Sequence, residues 1–316
     1  MDSLIKPLTT EKVTNKKAAF GRHETFALRY AWLSKGFQTF QRNPDIFASD
    51  EATVQLGVGK NMVNAIRYWL RAAQMIETAD DGLKTTALGR FIFAEHGCDP
   101  YLEDEATLWL IHWLLATNSE LATAWYWFFN CFHKTEFTHD EVATAHAKFV
   151  LDNLSGKHSE RTVRNEINII LRMYCQGARK TKLELEDRLD APLSALKLVT
   201  TTAHTSYYQS KAGQQESLPI DIIGYAVNEI FNQRQQAVLP ISELMYGIKN
   251  GVAIGSLFRL TESALLAKLE RLVAKYPKIF NINETAGINQ IYRENDSMIS
   301  LTFLKNYYQP QDKVAS

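Results

Sequence analysis

The segment FGRHETFALRY, residues 20–30, crowds a base, a carboxylate and two guanidinium groups into eleven positions. For cleavage of a phosphodiester, His23 would serve as general base and Glu24 would hold a divalent metal, Mg or Mn. Arg22 and Arg29 would stabilise the charge that develops in the transition state. On a helix, Arg22 and Arg29 return to a similar azimuth seven residues apart. The same residues also admit a structural reading, in which Arg22 and Glu24 satisfy a helix N-terminus while Phe26, Tyr30 and Trp32 pack inside.

Other chemistries fare less well. The turn GVGK, residues 57–60, would need a glycine where Val54 stands and Ser or Thr where Asn61 stands to be a nucleotide-binding loop. His112 lies among tryptophans and reads as a hydrogen-bonded core residue. His139 and His146 lack the His-Glu-x-x-His spacing of a zinc hydrolase. The run Glu103 to Glu105 could bind a metal but reads more simply as a helix start. There is no Gly-x-Ser-x-Gly elbow, and Cys98, Cys131 and Cys175 are too scattered for a disulfide framework or a zinc cluster.

The elements that would position these groups read mostly as helix, because apolar residues recur at three and four places. A short helix precedes the Gly57 to Gly59 turn, where both glycines permit a sharp bend. A second helix follows, with Met62, Ile66, Trp69, Leu70, Ala73 and Ile76 turned to the core. Its other face carries Lys60, Asn61, Asn64, Arg67 and Arg71, donors that reach phosphates and base edges when such a helix lies in the major groove. Next comes ETADDGLKTTALG, with Asp81-Gly82 expected as a hairpin turn. Helix, tight turn, helix and hairpin is the order of a winged helix-turn-helix. The alternative is a structural helix pair with a solvated polar face.

A weaker echo appears at residues 154–175, where a helix capped by Ser159 would bury Val163, Ile167, Ile170, Leu171 and Tyr174. Arg161, Arg164, Asn165, Asn168 and Arg172 lie elsewhere on it, diluted by Glu160 and Glu166. The tryptophan-rich stretch 106–132 is interrupted by TNSE, so it reads as two buried helices in a hairpin rather than a membrane span. The expected fold class is mainly α, with winged helix-turn-helix modules around a helical core and short β-hairpin wings. Four regions are expected. They are a flexible leader at 1–19, a winged domain at 20–100, a helical domain at 101–180, and a mainly helical domain with a possible wing at 181–316. A charged connection runs through GARKTKLELEDRLD.

Lysine plus arginine and aspartate plus glutamate balance at 35 each, so any nucleic-acid surface must be local. No apolar leader of an exported protein is present, and the cysteine usage suits a reducing cytoplasm.

FGRHETFALRYAWLSKGF and LGVGKNMVNAIRYWLRAAQMIE, with SERTVRNEINIILRMY, SLPIDIIGYAVNEI and SLFRLTESALLAKLERL, resemble a bacterial family of unknown-function domains found in DNA phosphorothioation operons. That resemblance runs from about Phe20 to Arg293. It implies a DNA-binding component that nicks DNA so that sulfur can enter the backbone. It also implies partners: double-stranded DNA, a cysteine desulfurase, a PAPS-reductase-like sulfurtransferase and an ATPase subunit. A non-catalytic DNA-binding or protein-binding adaptor of the same machinery is the competing expectation.

Overall fold

A computed structural model describes residues 18–176, 190–201, 206–248, 251–285 and 287–309. Most of the expected leader and nearly all of the charged connection lie outside them. The chain divides into two compact units, one spanning Glu11–Lys211 and one from Ala212 onward. The segments 20–100 and 101–180 fall within the first unit. Helices predominate, but three small sheets among the described residues make the fold mixed α/β rather than mainly α.

The first unit opens with α1 (Tyr30–Arg42), followed by a short α2 (Ala52–Leu56) and by α3 (Lys60–Ala72). Helix α2 stops because Gly57 takes a left-handed φ of +63°, which glycine adopts without steric cost. Gly59 has an ordinary extended φ of −69° with open space at its Cβ position, so the bend needs only the first glycine. Helix α3 buries Val63, Ala65, Ile66, Tyr68, Trp69 and Leu70. The antiparallel hairpin of β1 (Ile76–Ala79) and β2 (Gly82–Thr85) follows, and Ala79 pairs with Gly82. Its two-residue turn is therefore Asp80–Asp81, one place earlier than expected. Thr86 then caps α4 (Ala87–Phe93) by accepting from the Gly89 amide at 2.9 Å.

Beneath these elements lies the helical hairpin of α5 (Glu105–Thr117) and α6 (Thr123–Asn130), whose start is capped by Asp104. It is apolar on nearly every side, as a helix at the centre of a core must be, and fully buries Trp109, Trp113, Trp125, Phe128 and Phe129. No described helix is long and apolar enough to cross a membrane. His112 donates to or accepts from the Tyr174 hydroxyl at 2.8 Å, a satisfied core histidine. Helices α7 (His139–Asn153) and α8 (Glu160–Tyr174) pack on this hairpin. Ser159 stands at the α8 N-cap without a side-chain capping bond. A four-stranded sheet in the order β3-β6-β5-β4 joins β3 (Glu136–Thr138), β4 (Cys175–Gln176), β5 (Val199–Thr201) and β6 (Tyr207–Gln209).

The second unit runs α9 (Ile220–Arg234), β7 (Val238–Pro240), α10 (Ile241–Tyr246), α11 (Ile254–Leu257), α12 (Glu262–Lys275), β8 (Phe280–Thr285), β9 (Ile288–Arg293) and α13 (Leu301–Tyr308). Its three strands lie in the order β7-β9-β8, and both pairings are antiparallel. Where a wing was expected as a possibility, the chain forms the β8–β9 hairpin with β7 paired along β9.

Candidate nucleic-acid interface

Helix α3 presents Lys60, Asn64, Arg67 and Arg71 along one stripe, at intervals of four, three and four residues, with Asn61 beside it. Lys60, Asn61 and Arg67 are exposed, while Asn64 and Arg71 are half-buried. Arg71 reaches the hairpin, where its Nη2 donates to Thr78 Oγ1 at 3.2 Å. Partial burial and then the like charges of Arg67 and Arg22 lower the Arg71 pKa from its usual value. The stripe and the loop carrying Arg22 therefore share one electrostatic neighbourhood.

That loop, residues 20–29, is bound on both sides. Gly21 has φ +71°, and Glu24 and Thr25 follow with left-handed φ values of +51° and +66°, which are unusual for residues with side chains. The Gly21 amide donates to Glu166 Oε1 on α8 at 2.6 Å. His23 is fully buried, its ring lying parallel to Trp69 with centroids 6.0 Å apart and edge-on to Tyr68 and Trp125. Its Nδ1 accepts from the Thr25 amide at 3.2 Å, so the ring proton sits on Nε2, which donates to Glu166 Oε1 at 3.0 Å. Further along, Trp69 Nε1 donates to the Phe26 carbonyl at 3.2 Å, and Arg172 Nη1 to the Thr25 carbonyl at 3.4 Å. One loop is thus tied to α3 and α8 together.

This geometry distributes the four candidate catalytic residues differently from their sequence proximity. Arg22 is exposed at the α3 stripe. His23 faces inward with both nitrogens engaged, which leaves neither open to a phosphodiester in this arrangement. Glu24 is half-buried in the turn. Arg29 turns towards Asp190, with its Nε 3.7 Å from Oδ2 and its guanidinium over the Trp32 ring.

The metal expected at Glu24 needs further oxygen or nitrogen donors. Among the described residues, no group of three or more histidine, cysteine, aspartate or glutamate side chains is placed to hold an ion. The side chains around Glu24 do not build a protein-made metal site.

On α8 the expected second patch is partly self-paired. Arg164 binds Glu160 at 3.0 Å, and Asn168 Nδ2 donates to Asn165 Oδ1 at 3.2 Å, while Arg161 is exposed. The residue that sequence reasoning missed is Glu166. Read as a charge diluting a surface patch, it is instead 1% exposed and holds the loop. Its only sequence signal is its place among Val163, Ile167 and Ile170 on the apolar face of α8.

A family model described as "Protein of unknown function (DUF4007)" matches residues 20–308. No match is found among curated proteins. Two solved structures resemble the chain over nearly its whole length. A "Magnesium ion-bound SspB crystal structure" superposes with a TM-score of 0.84 at 28% identity, covering 95% of this chain and 92% of that one. An "SspB crystal structure" gives a TM-score of 0.83 at 29% identity, with coverage of 94% and 89%.

Proposed function

From the premise that the chain belongs to the DUF4007 family, we propose that it is the duplex-DNA-binding component of a DNA phosphorothioate modification system and nicks one strand there. The observation that carries the DNA-binding part is the stripe Lys60, Asn64, Arg67 and Arg71 beside the β1–β2 hairpin. In this reading α1 to β2 form a winged helix-turn-helix. Helix α3 enters the major groove, and the hairpin lies against the flanking backbone. Arg161, Arg164 and Asn168 on α8 extend the contact along the duplex, with Arg164 giving up Glu160 when it binds phosphate.

Nicking is what the sequence resemblance implies, and a magnesium-bound form of SspB is among the similar structures. A cysteine desulfurase, a PAPS-reductase-like protein and an ATPase are the partners this role implies. Magnesium or manganese, when bound with the DNA, would supply charge stabilisation at the scissile phosphate.

A second reading, an adaptor that binds DNA while cleavage occurs on a partner, has its own specific observation: both nitrogens of His23 are engaged inside the protein. One experiment separates the two. Purified protein is mixed with supercoiled plasmid and Mg²⁺ or Mn²⁺, open circles are counted, and the wild type is compared with Glu24→Ala. Duplex binding of Arg67→Ala/Arg71→Ala is measured alongside.

The nickase gives metal-dependent open circles that Glu24→Ala loses. The adaptor binds duplex without making them. For either, the double arginine variant binds about 10- to 100-fold more weakly, with a salt slope shallower by roughly two. Unchanged duplex binding in that variant overturns the docking of α3.

A further inference from the structure

Among Arg22, His23, Glu24 and Arg29, Arg22 is the one that the fold leaves exposed. Its backbone is held on either side. Gly21 is bound to Glu166, and His23 is clamped between Glu166 and the aromatic rings of Trp69 and Trp125. Among the described residues, no hydrogen bond or ion pair is made by the side chains of Arg22 or Arg67, and Arg71 makes one bond, to a hydroxyl. Arg67 and Arg71 stand one turn apart on α3, and the loop that carries Arg22 is packed on the same turn of that helix, with the His23 ring on Trp69 and the Phe26 carbonyl bonded to the Trp69 indole. Bringing like charges together is unfavourable unless an anion joins them.

Resting on the reading that the chain binds DNA, we infer that Arg22, Arg67 and Arg71 form a clamp for one backbone phosphodiester of the bound duplex, with His23 and Glu166 as the positioning residues that hold Arg22 in it. A phosphodiester offers two non-bridging oxygens that match the guanidinium fork, and a chain fixed beforehand loses less entropy on binding. The stripe continues to Lys60, eleven residues from Arg71, or about 16 Å along the helix axis. That is several times the roughly 3.4 Å rise per phosphate on one strand, so it suits a continuous backbone rather than a free phosphate ion. In this assignment Arg22 acts in binding and not on the transition state. Its sequence neighbour His23 acts from below.

The test measures duplex binding by fluorescence anisotropy at salt concentrations from roughly 50 to 200 mM. Wild type is compared with Arg22→Ala, Arg22→Gln, Arg67→Ala and the Arg22→Ala/Arg67→Ala double variant, each with its thermal unfolding recorded. Both Arg22 variants should weaken binding about tenfold and lower the salt slope by about one. The double variant should lose less than the product of the single losses, because the two groups share a phosphate.

If Arg22 variants keep wild-type affinity and slope while Arg67→Ala weakens, the clamp is wrong and DNA binding stands. If Arg22 variants lose nicking with affinity intact, Arg22 is catalytic and the clamp is wrong. Displacement of the duplex by inorganic phosphate at matched ionic strength would overturn the backbone as its ligand. A wild type that binds no duplex removes both the clamp and the function it rests on.

Discussion

Helices α3 and α12 hold equivalent places in two successions of helix, helix and antiparallel hairpin, yet they use their polar side chains differently. Helix α3 sends Lys60, Asn64, Arg67 and Arg71 outward. Helix α12 ties its lysines to its own unit: the buried Lys268 donates to the Leu218 carbonyl at 3.0 Å, and the half-exposed Lys275 donates to both carboxylate oxygens of Asp221 at 2.8 and 2.6 Å. The outward face of α12 carries Glu262, Ser263, Ala267, Glu270, Arg271, Ala274 and Lys275, with two carboxylates among its charges where the α3 stripe has none. The order of elements therefore does not assign the work; the destination of each charged side chain does. By that criterion the first module is the one we propose faces DNA.

The comparison is sharpened most by removing what lies under the α3 stripe. His23→Ala would leave Glu166 buried without its cationic or proton-donating partner and would remove the ring lying on Trp69. A broken buried pair costs about 3–5 kcal/mol, which for a unit of this size lowers the melting temperature by about 10 °C. All six tryptophans lie between Trp32 and Trp127, so their fluorescence reports the first unit alone. A loss seen in that signal is expected. An unchanged melt would mean the loop is not held by this pair.

The two units also carry opposite pH signatures. Burial lowers the His146 pKa from 6.5 to about 4, against a bond from its ring to the Val163 carbonyl. The unfolded chain takes up that proton first, so the first unit loses stability as pH falls from about 6.5 towards 4, by about 3 kcal/mol. In the second unit, burial raises the Glu229 pKa above 4.5, opposed by bonds from Ser300 and Asn232 and by the Arg293 charge. Its protonated form is favoured in the fold, so that contribution is full below about 4.5 and is lost as pH rises through the raised value. Hydrogen exchange read separately on peptides from α7 and α9 should move in opposite directions with pH. His146→Asn and Glu229→Gln should each flatten their own unit's trend and leave the other's in place.

Much of this arrangement was legible in the sequence where it depended on local periodicity. Part of the buried face of α3 (Ile66, Trp69 and Leu70, but not the half-buried Met62 or the buried Val63, Ala65 and Tyr68), the helical hairpin of residues 105–130, the Asp104 start and the core role of His112 follow from spacing within one or two turns. What escaped depended on distant partners. Glu166 is 143 residues from His23, and a glutamate on a helix otherwise reads as solvated surface. Likewise the β3-β6-β5-β4 sheet is made of two- and three-residue strands drawn from segments at 136–138, 175–176, 199–201 and 207–209. No such strand is long enough to show a period of two.

The smallest expected effect tests the other half of the comparison. Asp221 is buried at the first turn of α9, where it accepts from Lys275 of α12 and from the Tyr276 hydroxyl. Lys275 is nearly half-exposed and can return to water, so most of the cost of Asp221→Ala comes from Tyr276. Its hydroxyl would keep only the bond from Asn306 at 3.3 Å. One poorly satisfied buried polar group costs about 1–3 kcal/mol, and a value near 2 kcal/mol is expected. The loss should appear in hydrogen exchange on α9 and α12, with tryptophan fluorescence and duplex affinity unchanged. Should duplex affinity fall with it, the paired lysines of α12 would belong to the DNA surface after all, and the division of labour between the two modules would have to be redrawn.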